Sequence, residues 1–305
     1  MQLNIPTPIQ RIRNPLLDKK EIELWVKRDD LTHPQVQGNK WRKLKFNLSK
    51  ARKSNKKYLL TFGGAFSNHL YATAAAGQLY GFKTIGIVRG EKILPLNHTL
   101  KFAVGAGMDL HFVDRKTYRL KEKLLPSLNL PLDECYILPE GGTNDLAIEG
   151  CTELAQEIID QMEVQPDFIC VSAGTGGTAA GIVLAAKPDM KILVFPALKG
   201  NFLFDEIHSL LKLSPHSPLS VTLNIQSDYY FGGYAKHTPP LLDFINDFKN
   251  EFNIQLDPIY TGKLFYGIFD LIKKDFFPKG SRIVGIHTGG LQGIEGFRER
   301  FGALI

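Results

Sequence analysis

Residues 168–181 read Phe-Ile-Cys-Val-Ser-Ala-Gly-Thr-Gly-Gly-Thr-Ala-Ala-Gly, an apolar run followed by glycines and then by small residues. The apolar run predicts a buried strand, and the residues after the glycines predict a helix. The N–H groups of residues 175–178, at the start of that helix, form a cup that suits a phosphate dianion. A glycine-rich turn without a ligand is the alternative that this stretch alone leaves open.

The loop differs from the two common nucleotide-binding loops. No lysine follows the glycines, so it is not a Walker A loop. Residues 174–179 match the loose dinucleotide pattern GxGxxA, but that pattern requires an acidic residue at the end of the next strand. Here the next predicted strand ends Val194-Phe195-Pro196. A single phosphate is therefore favoured over NAD.

Around this loop the chain alternates between predicted strands and helices. Strands are predicted at 24–28, 58–62, 84–88, 109–113, 168–172, 191–195, 219–225, 256–260 and 282–287. Helices are predicted at 41–54, 68–79, 98–104, 146–162, 240–252 and 263–277, with a further one ending at 186. The pattern predicts an α/β protein of two wound units with mainly parallel sheets.

Five Gly-Gly pairs punctuate this pattern, at 63–64, 141–142, 176–177, 232–233 and 289–290. Four of them follow a predicted strand. Ligands of open α/β sheets bind at the carboxyl ends of strands. The four pairs therefore indicate a single site between the two units.

Composition limits the possible classes of protein. The 305 residues, 44% hydrophobic and 22% charged, suggest two domains and exclude disordered and fibrous chains. A net charge of 37 − 31 = +6 favours anionic ligands but is spread too thinly to indicate nucleic acid. Three cysteines give no disulfide framework, and no cluster has metal-ligand spacing. No signal peptide and no membrane span of ~20 apolar residues is recognisable, so a cytoplasmic location is expected.

A second notable segment contains several cations, Gln37-Gly-Asn-Lys-Trp-Arg-Lys-Leu44. Lys40 stands at the predicted start of a helix, three residues before Lys43. A helix N-terminus and a second cation both lower the proton affinity of an amine, which favours the neutral nucleophile. On this spacing alone, a solvated surface lysine is still the better interpretation.

Asp29-Asp-Leu-Thr32 and Gly38-Asn-Lys-Trp-Arg-Lys-Leu44 together resemble the segment that carries the cofactor-binding lysine of fold-type II pyridoxal-phosphate enzymes. More narrowly, they resemble the family of 1-aminocyclopropane-1-carboxylate deaminases and D-cysteine desulfhydrases. Blocks at 63–69, 172–178, 257–263 and 287–290 resemble the same family in the same order. The resemblance therefore extends through most of the chain.

The resemblance implies pyridoxal 5′-phosphate as the cofactor. Lys40 resembles the lysine that binds it covalently, and Lys43 a second lysine near its phosphate. Asn68 resembles the asparagine that hydrogen-bonds its 3′-oxygen. The phosphate cup corresponds to Gly174, Thr175, Gly176, Gly177 and Thr178.

The resemblance also implies a substrate side. Ser67, with the amides of Asn68 and His69 at a helix N-terminus, suits a substrate carboxylate. Tyr234 and Tyr260 resemble two tyrosines that line the substrate side of the ring and could move protons. Core packing is the alternative for both tyrosines if the surrounding motifs are disregarded.

Two positions separate the branches of the family. Deaminases of the cyclopropane substrate carry a glutamate at the position of Thr261 and a leucine at that of Thr288, whereas desulfhydrases carry small hydroxyl residues. The chain therefore resembles the desulfhydrase branch, and both threonines are expected beside the cofactor. Space-filling at strand ends is the alternative. Phe66, Leu70 and Tyr71 depart from the family pattern, which leaves the substrate and its stereochemistry open.

These observations predict a large cofactor-binding domain of residues 1–44 and 151–305 and a small βαβ domain of residues 45–150 over the substrate. We expect an α,β-elimination in which Lys40 removes the α-proton of a small amino acid, so that D-cysteine gives pyruvate, sulfide and ammonia. The alternatives are the cyclopropane deaminase, another lyase or racemase, and a non-enzymatic anion- or nucleic-acid-binding protein with a decayed site. Family analogy suggests a homodimer; neither nucleic acid nor a membrane is expected as a partner.

Overall fold

The computed structural model describes residues 2–212, 221–302 and 305. The strands are β1 (Ile9–Ile12), β2 (Glu23–Lys27), β3 (Tyr58–Gly64), β4 (Lys83–Arg89), β5 (Met108–Val113), β6 (Cys135–Leu138), β7 (Phe168–Ala173), β8 (Lys191–Pro196), β9 (Thr222–Ile225) and β10 (Arg282–Ile286). The helices are α1 (Pro15–Lys20), α2 (Asn39–Lys53), α3 (Asn68–Tyr80), α4 (His98–Gly105), α5 (Arg115–Tyr118), α6 (Asp145–Gln161), α7 (Gly177–Ala185), α8 (Phe202–Lys212), α9 (Pro239–Phe252), α10 (Thr261–Lys273) and α11 (Gly293–Phe301).

The strands form two sheets, which confirms the predicted α/β class with mainly parallel strands. The larger sheet has the order β1-β2-β10-β7-β8-β9, and the smaller one β5-β4-β3-β6. Every pairing is parallel except that of the edge strand β1 with β2. The smaller sheet lies wholly within residues 58–138, so the chain leaves the larger sheet after β2 and returns to it at β7.

Both faces of the larger sheet are covered, as expected for parallel strands. Ile169 and Val171 of β7 belong to a cluster on one face with residues of α6 and α7, whereas Cys170 belongs to a cluster on the other face with residues of α9 and α10. Cys170 is fully buried and serves as a small core residue. The carboxyl end of β7 is thereby fixed from two sides.

The predicted domain boundaries fall inside helices. Residue 44 lies within α2, and residue 150 lies within α6. These helices pack so closely that a Cβ at Gly150 would stand 2.0 Å from the carbonyl oxygen of Arg42. The division into domains at residues 45 and 150 stays a prediction. The two helices that connect the sheets, α2 and α6, pack against each other.

Some sequence predictions were wrong. Residues 256–260 form no strand, because the Asp257 carboxylate accepts hydrogen bonds from the amides of Ile259, Tyr260 and Thr261 and turns the chain into α10. Strands β1 and β6, of four residues each, were not predicted. Part of the predicted strand at 219–225 lies outside the described residues; β9 occupies its end.

A buried ion cluster links α2, α6 and β2. Arg42 donates to Asp29 at 2.8 Å and to Glu157 at 2.6 Å, and Lys27 donates to the same Glu157 at 2.6 Å. Burial raises the pKa of Glu157, but the hydrogen bonds and charges of Arg42 and Lys27 outweigh it and hold the pKa below its ordinary value. Two buried cations therefore face the buried carboxylate of Asp29 and that of Glu157, whose side chain is 12% exposed.

Glu157→Gln should lower the free energy of unfolding by about 3 kcal/mol, because it leaves an uncompensated positive charge among buried groups. The measurement is urea denaturation at neutral pH. Glu21→Gln removes one partner of an exposed pair with Lys279 and serves as the control, which should lose little. Equal losses in the two variants would contradict the structural importance of the cluster.

Candidate functional site

The phosphate cup lies at the carboxyl end of β7, where the sequence predicted it. Gly176 caps α7 in the left-handed region with φ of 76°, and a Cβ there would stand 2.8 Å from Cγ1 of Ile207. The amides of Thr175 and Gly176 donate to no group in the described residues. Those of Gly177 and Thr178 belong to the first helical turn, which has no intrahelical acceptors. Four N–H groups are thus free for an anion.

Lys43 lies beside this cup. Its Nζ donates to the carbonyl of Gly141 at 3.0 Å, to Thr143 Oγ1 at 2.8 Å and to Thr175 Oγ1 at 3.3 Å. All three acceptors are uncharged, and burial lowers the pKa of Lys43. Since Thr175 belongs to the cup, the ammonium group stands next to the free amides.

Lys40 lies one helical turn before Lys43, on the same side of α2. No group in the described part of the chain accepts a hydrogen bond from its Nζ. Burial, reinforced by the charge of Lys43, lowers the pKa of Lys40 to about 7. A substantial fraction of this amine is therefore neutral and nucleophilic at physiological pH.

One cleft brings most of the predicted site residues together. The volume in which the centre of a water molecule fits is about 80 Å³, and part of the cleft is open to solvent. Its lining includes the predicted residues Lys40, Lys43, Asn68, Gly174, Thr175, Gly176, Gly177, Thr178, Tyr260 and Thr288. Gly141, Gly289 and Gly290 also line it, so glycines of three of the five Gly-Gly pairs meet there.

Ser67 and His69 stand at the start of α3. Ser67 Oγ accepts from the amides of His69 at 3.2 Å and Leu70 at 3.3 Å, so these two N–H groups are already used for capping. The His69 ring is buried, and neither ring nitrogen has a partner among the residues that the structure describes. Burial, with the charges of Lys40 and Lys43, holds the pKa of His69 well below its ordinary value. His69 is therefore a neutral polar group near the lysines.

The two predicted tyrosines contact each other. Their ring centroids are 6.3 Å apart in an edge-on arrangement. Tyr260 lines the cleft, whereas Tyr234 stands on the loop after β9 and is 41% exposed. Burial raises the pKa of both hydroxyl groups, so both stay protonated at neutral pH.

The two branch-determining threonines differ in their surroundings. Thr288 lines the cleft, but Thr261 does not belong to its lining. Thr261 is fully buried, and its Oγ1 donates to Asp257 at 2.7 Å and accepts from the amide of Asp257 at 2.9 Å. Its hydroxyl group is therefore committed to the start of α10.

The sequence reasoning missed several residues that shape the site. Thr143 bonds Lys43 and, at 2.7 Å, Thr175 Oγ1; the Gly-Gly pair before it was the available signal. Gln37 Oε1 accepts from the amides of Gly290 and Leu291, both at 3.0 Å. Lys263 was noted only as part of a motif. His287 is a buried histidine bonded to the carbonyl of Gln255.

The described residues contain neither a metal site nor a membrane-spanning helix. No group of three or more His, Cys, Asp or Glu side chains there could hold a metal ion. Among the helices of those residues, none has the length and apolar character needed to cross a membrane.

Comparisons with known proteins confirm the family resemblance that the sequence shows. A family model described as pyridoxal-phosphate dependent enzyme matches residues 1–289. The chain is 34% identical to the bifunctional D-cysteine desulfhydrase/1-aminocyclopropane-1-carboxylate deaminase of Arabidopsis thaliana, over 95% of this chain and 78% of the relative. It is 26% identical to the D-cysteine desulfhydrase of Salmonella typhi, over 94% and 92%.

A solved structure is similar over nearly the whole fold. The crystal structure of a homologue of 1-aminocyclopropane-1-carboxylate deaminase superposes with a TM-score of 0.84 at 30% identity. The match covers 96% of this chain and 92% of the other.

Lys40→Met should stabilise the protein after removal of any bound cofactor, by about 1–3 kcal/mol at pH 6 and by less at pH 10. The folded state lowers the pKa of Lys40, so protonation of Lys40 costs stability. That cost is fully present below the folded-state pKa and disappears as the pH rises above the unfolded-state value. Urea denaturation at the two pH values is the measurement.

The control for this prediction is Lys50→Met, an exposed lysine on the same helix. Its effect on stability should be small and the same at both pH values. A Lys40→Met protein that is less stable than the parent at pH 6 would contradict the burial of an unpaired amine.

Proposed function

Because the chain belongs to the family of pyridoxal-phosphate-dependent enzymes, we propose that it eliminates the β-substituent of a small amino acid, with D-cysteine as the favoured substrate. The products from D-cysteine are pyruvate, sulfide and ammonia. The enzyme is a pyridoxal-phosphate-dependent lyase; the identity of its substrate is the proposal.

The residues present fit the cofactor. Four free amides at the start of α7 suit its phosphate, and Lys43 adds a positive charge beside them. Lys40 offers an amine without an acceptor to its aldehyde. Ser172 Oγ, buried just before the cup, also has no partner in the described residues and lines the same cleft. Such orphaned polar groups are rare in folded proteins unless a ligand satisfies them.

Bound pyridoxal phosphate supplies an electron sink that stabilises negative charge on the α-carbon of an amino acid. Lys40 Nζ, neutral near pH 7, accepts the α-proton. The Tyr260 hydroxyl group, which lines the cleft, stays protonated and can donate to a departing β-substituent, and the Tyr234 ring lies beside it.

The observation that carries the choice of substrate is the absence of any carboxylate among the described residues that line the cleft. A carboxylate facing the pyridine nitrogen would keep it protonated and deepen the electron sink, which ring opening of a cyclopropane needs. Thr288 and the unpartnered Ser172 are neutral. A weaker sink suffices when a good leaving group departs as the α-proton is removed.

A second candidate activity is the deamination of 1-aminocyclopropane-1-carboxylate to 2-oxobutanoate and ammonia. The name of the bifunctional Arabidopsis thaliana relative includes both activities, so it supports either one. Another lyase or racemase activity is a third. Dimer formation and a cytoplasmic location stay predictions of the family resemblance.

Purified enzyme with pyridoxal phosphate should release sulfide and pyruvate from D-cysteine at least about tenfold more efficiently, in kcat/KM, than from L-cysteine. It should release little 2-oxobutanoate from the cyclopropane acid. The assay measures sulfide and 2-oxo acid for the three compounds, and Lys40→Ala is the inactive control. Preferential turnover of the cyclopropane acid would replace the proposed substrate by the second candidate.

A further inference from the structure

Helix α10 presents one face to the loop that carries Tyr234. Tyr260 occupies the N-cap position of α10, and its ring contacts that of Tyr234. Lys263 lies one helical turn after Tyr260. Tyr266 packs edge-on against Phe231 with ring centroids 5.0 Å apart. A turn further, Asp270 accepts a hydrogen bond from the Tyr229 hydroxyl at 2.8 Å. Steps of three or four residues place all four contacts along one side of the helix.

Lys263 makes the only one of these contacts that involves the main chain of the loop. Its Nζ donates to the carbonyl of Tyr230 and to that of Gly233, both at 2.8 Å. The same two carbonyls accept from the amides of Gly233 and Lys236, respectively. The amine therefore joins two consecutive tight turns. Lys263 is 1% exposed, so its amine is shielded from water.

The loop needs such support because its backbone is strained. Phe231 and Ala235 have φ of 51° and 55°, in the left-handed region that non-glycine residues seldom adopt. Gly232 and Gly233 have positive φ as well. Conformations of this kind persist only where surrounding contacts hold them. Tyr234 stands within this run, so its position depends on the turns on either side.

We propose that Lys263 is a positioning residue, whose amine holds the 230–235 loop against α10 and thereby places Tyr234 over the substrate side of the cleft. The inference rests on the proposed function, because it assigns Tyr234 to the amino-acid substrate. Lys263 does not line the cleft. Its effect should therefore appear in the handling of the amino acid and not in the binding of the cofactor.

The requirement is for hydrogen-bond donors. Burial lowers the pKa of Lys263 to about 8, while the nearby Asp257 acts in the opposite direction. A neutral amine keeps two N–H groups, one for each carbonyl. Methionine has a similar length and no donor, whereas glutamine keeps an NH₂ group on a shorter side chain. These two substitutions separate the loss of the donors from the loss of bulk.

The experiment uses the holoenzyme. Lys263→Met should raise KM for D-cysteine about tenfold and change kcat less than about threefold, since it removes an interaction with bound substrate. It should weaken by a similar factor the binding of D-alanine, which has no leaving group, measured by the change in cofactor absorbance. Lys263→Gln should recover part of the affinity, and cofactor affinity should be the same in all variants.

Two comparisons distinguish positioning from a general structural role. Tyr229→Phe removes another contact between the loop and α10, and it should leave KM unchanged. Tyr234→Ala should raise KM as Lys263→Met does, and the double variant should be no worse than Tyr234→Ala alone, because residues that act through one another are not additive. Full additivity, or an unchanged KM in Lys263→Met, would overturn the proposal.

Hydrogen exchange gives a readout that needs no substrate. The amides of residues 231–236 should exchange faster in Lys263→Met than in the parent holoenzyme, while those of α7 stay the same. Unchanged exchange in the loop would overturn the proposal even if the enzyme is active. An enzyme that binds no amino acid would refute the proposed function, and the exchange measurement would still decide whether Lys263 holds the loop.

Discussion

An amine that is to lose its proton near neutral pH must be kept from water and from carboxylates at the same time, and the centre of this protein is built around that constraint. Burial lowers the pKa of Lys40, and the charge of Lys43 adds to the effect. A nearby carboxylate would oppose both. The protein must therefore bury acidic residues close to α2 without letting any of them reach Lys40.

It does so by giving each buried carboxylate another partner. Asp29 bonds Arg42, and Asp30 forms a two-pronged contact with Arg28 at 3.0 and 2.8 Å. Asp257 is surrounded by amides at the start of α10. The acidic residues of two family motifs are therefore structural. They secure the elements that carry Lys40 and Tyr260, and they leave the cleft without a negative charge.

The sequence predicted the cleft better than it predicted how the cleft is held together. Glycine pairs after strands located the site because the backbone must approach a ligand there, and only local patterns are needed to see this. The strand predicted at 256–260 does not form, because the Asp257 carboxylate accepts hydrogen bonds from amides two to four residues later in the chain. Thr261 was expected beside the cofactor, and its hydroxyl group is bonded to the amide and the carboxylate of Asp257. The identity of a residue alone does not predict which of two nearby groups its side chain will hydrogen-bond.

The same limit explains why the roles of the lysines could not be ranked from the sequence. Three lysines are buried in the described chain, and each has acceptors: carboxylate for Lys27, hydroxyl and carbonyl oxygens for Lys43, and carbonyl oxygens for Lys263. Lys40, which lines the cleft, has no acceptor there. The ion pair with Glu157 makes Lys27 a structural cation. The uncharged acceptors of Lys43 and Lys263 leave Lys43 able to bind an anion and Lys263 able to position a loop. Lys40 has no acceptor in the described residues, so its amine is the one that is free to react. The other three lysines are held by their hydrogen-bond acceptors.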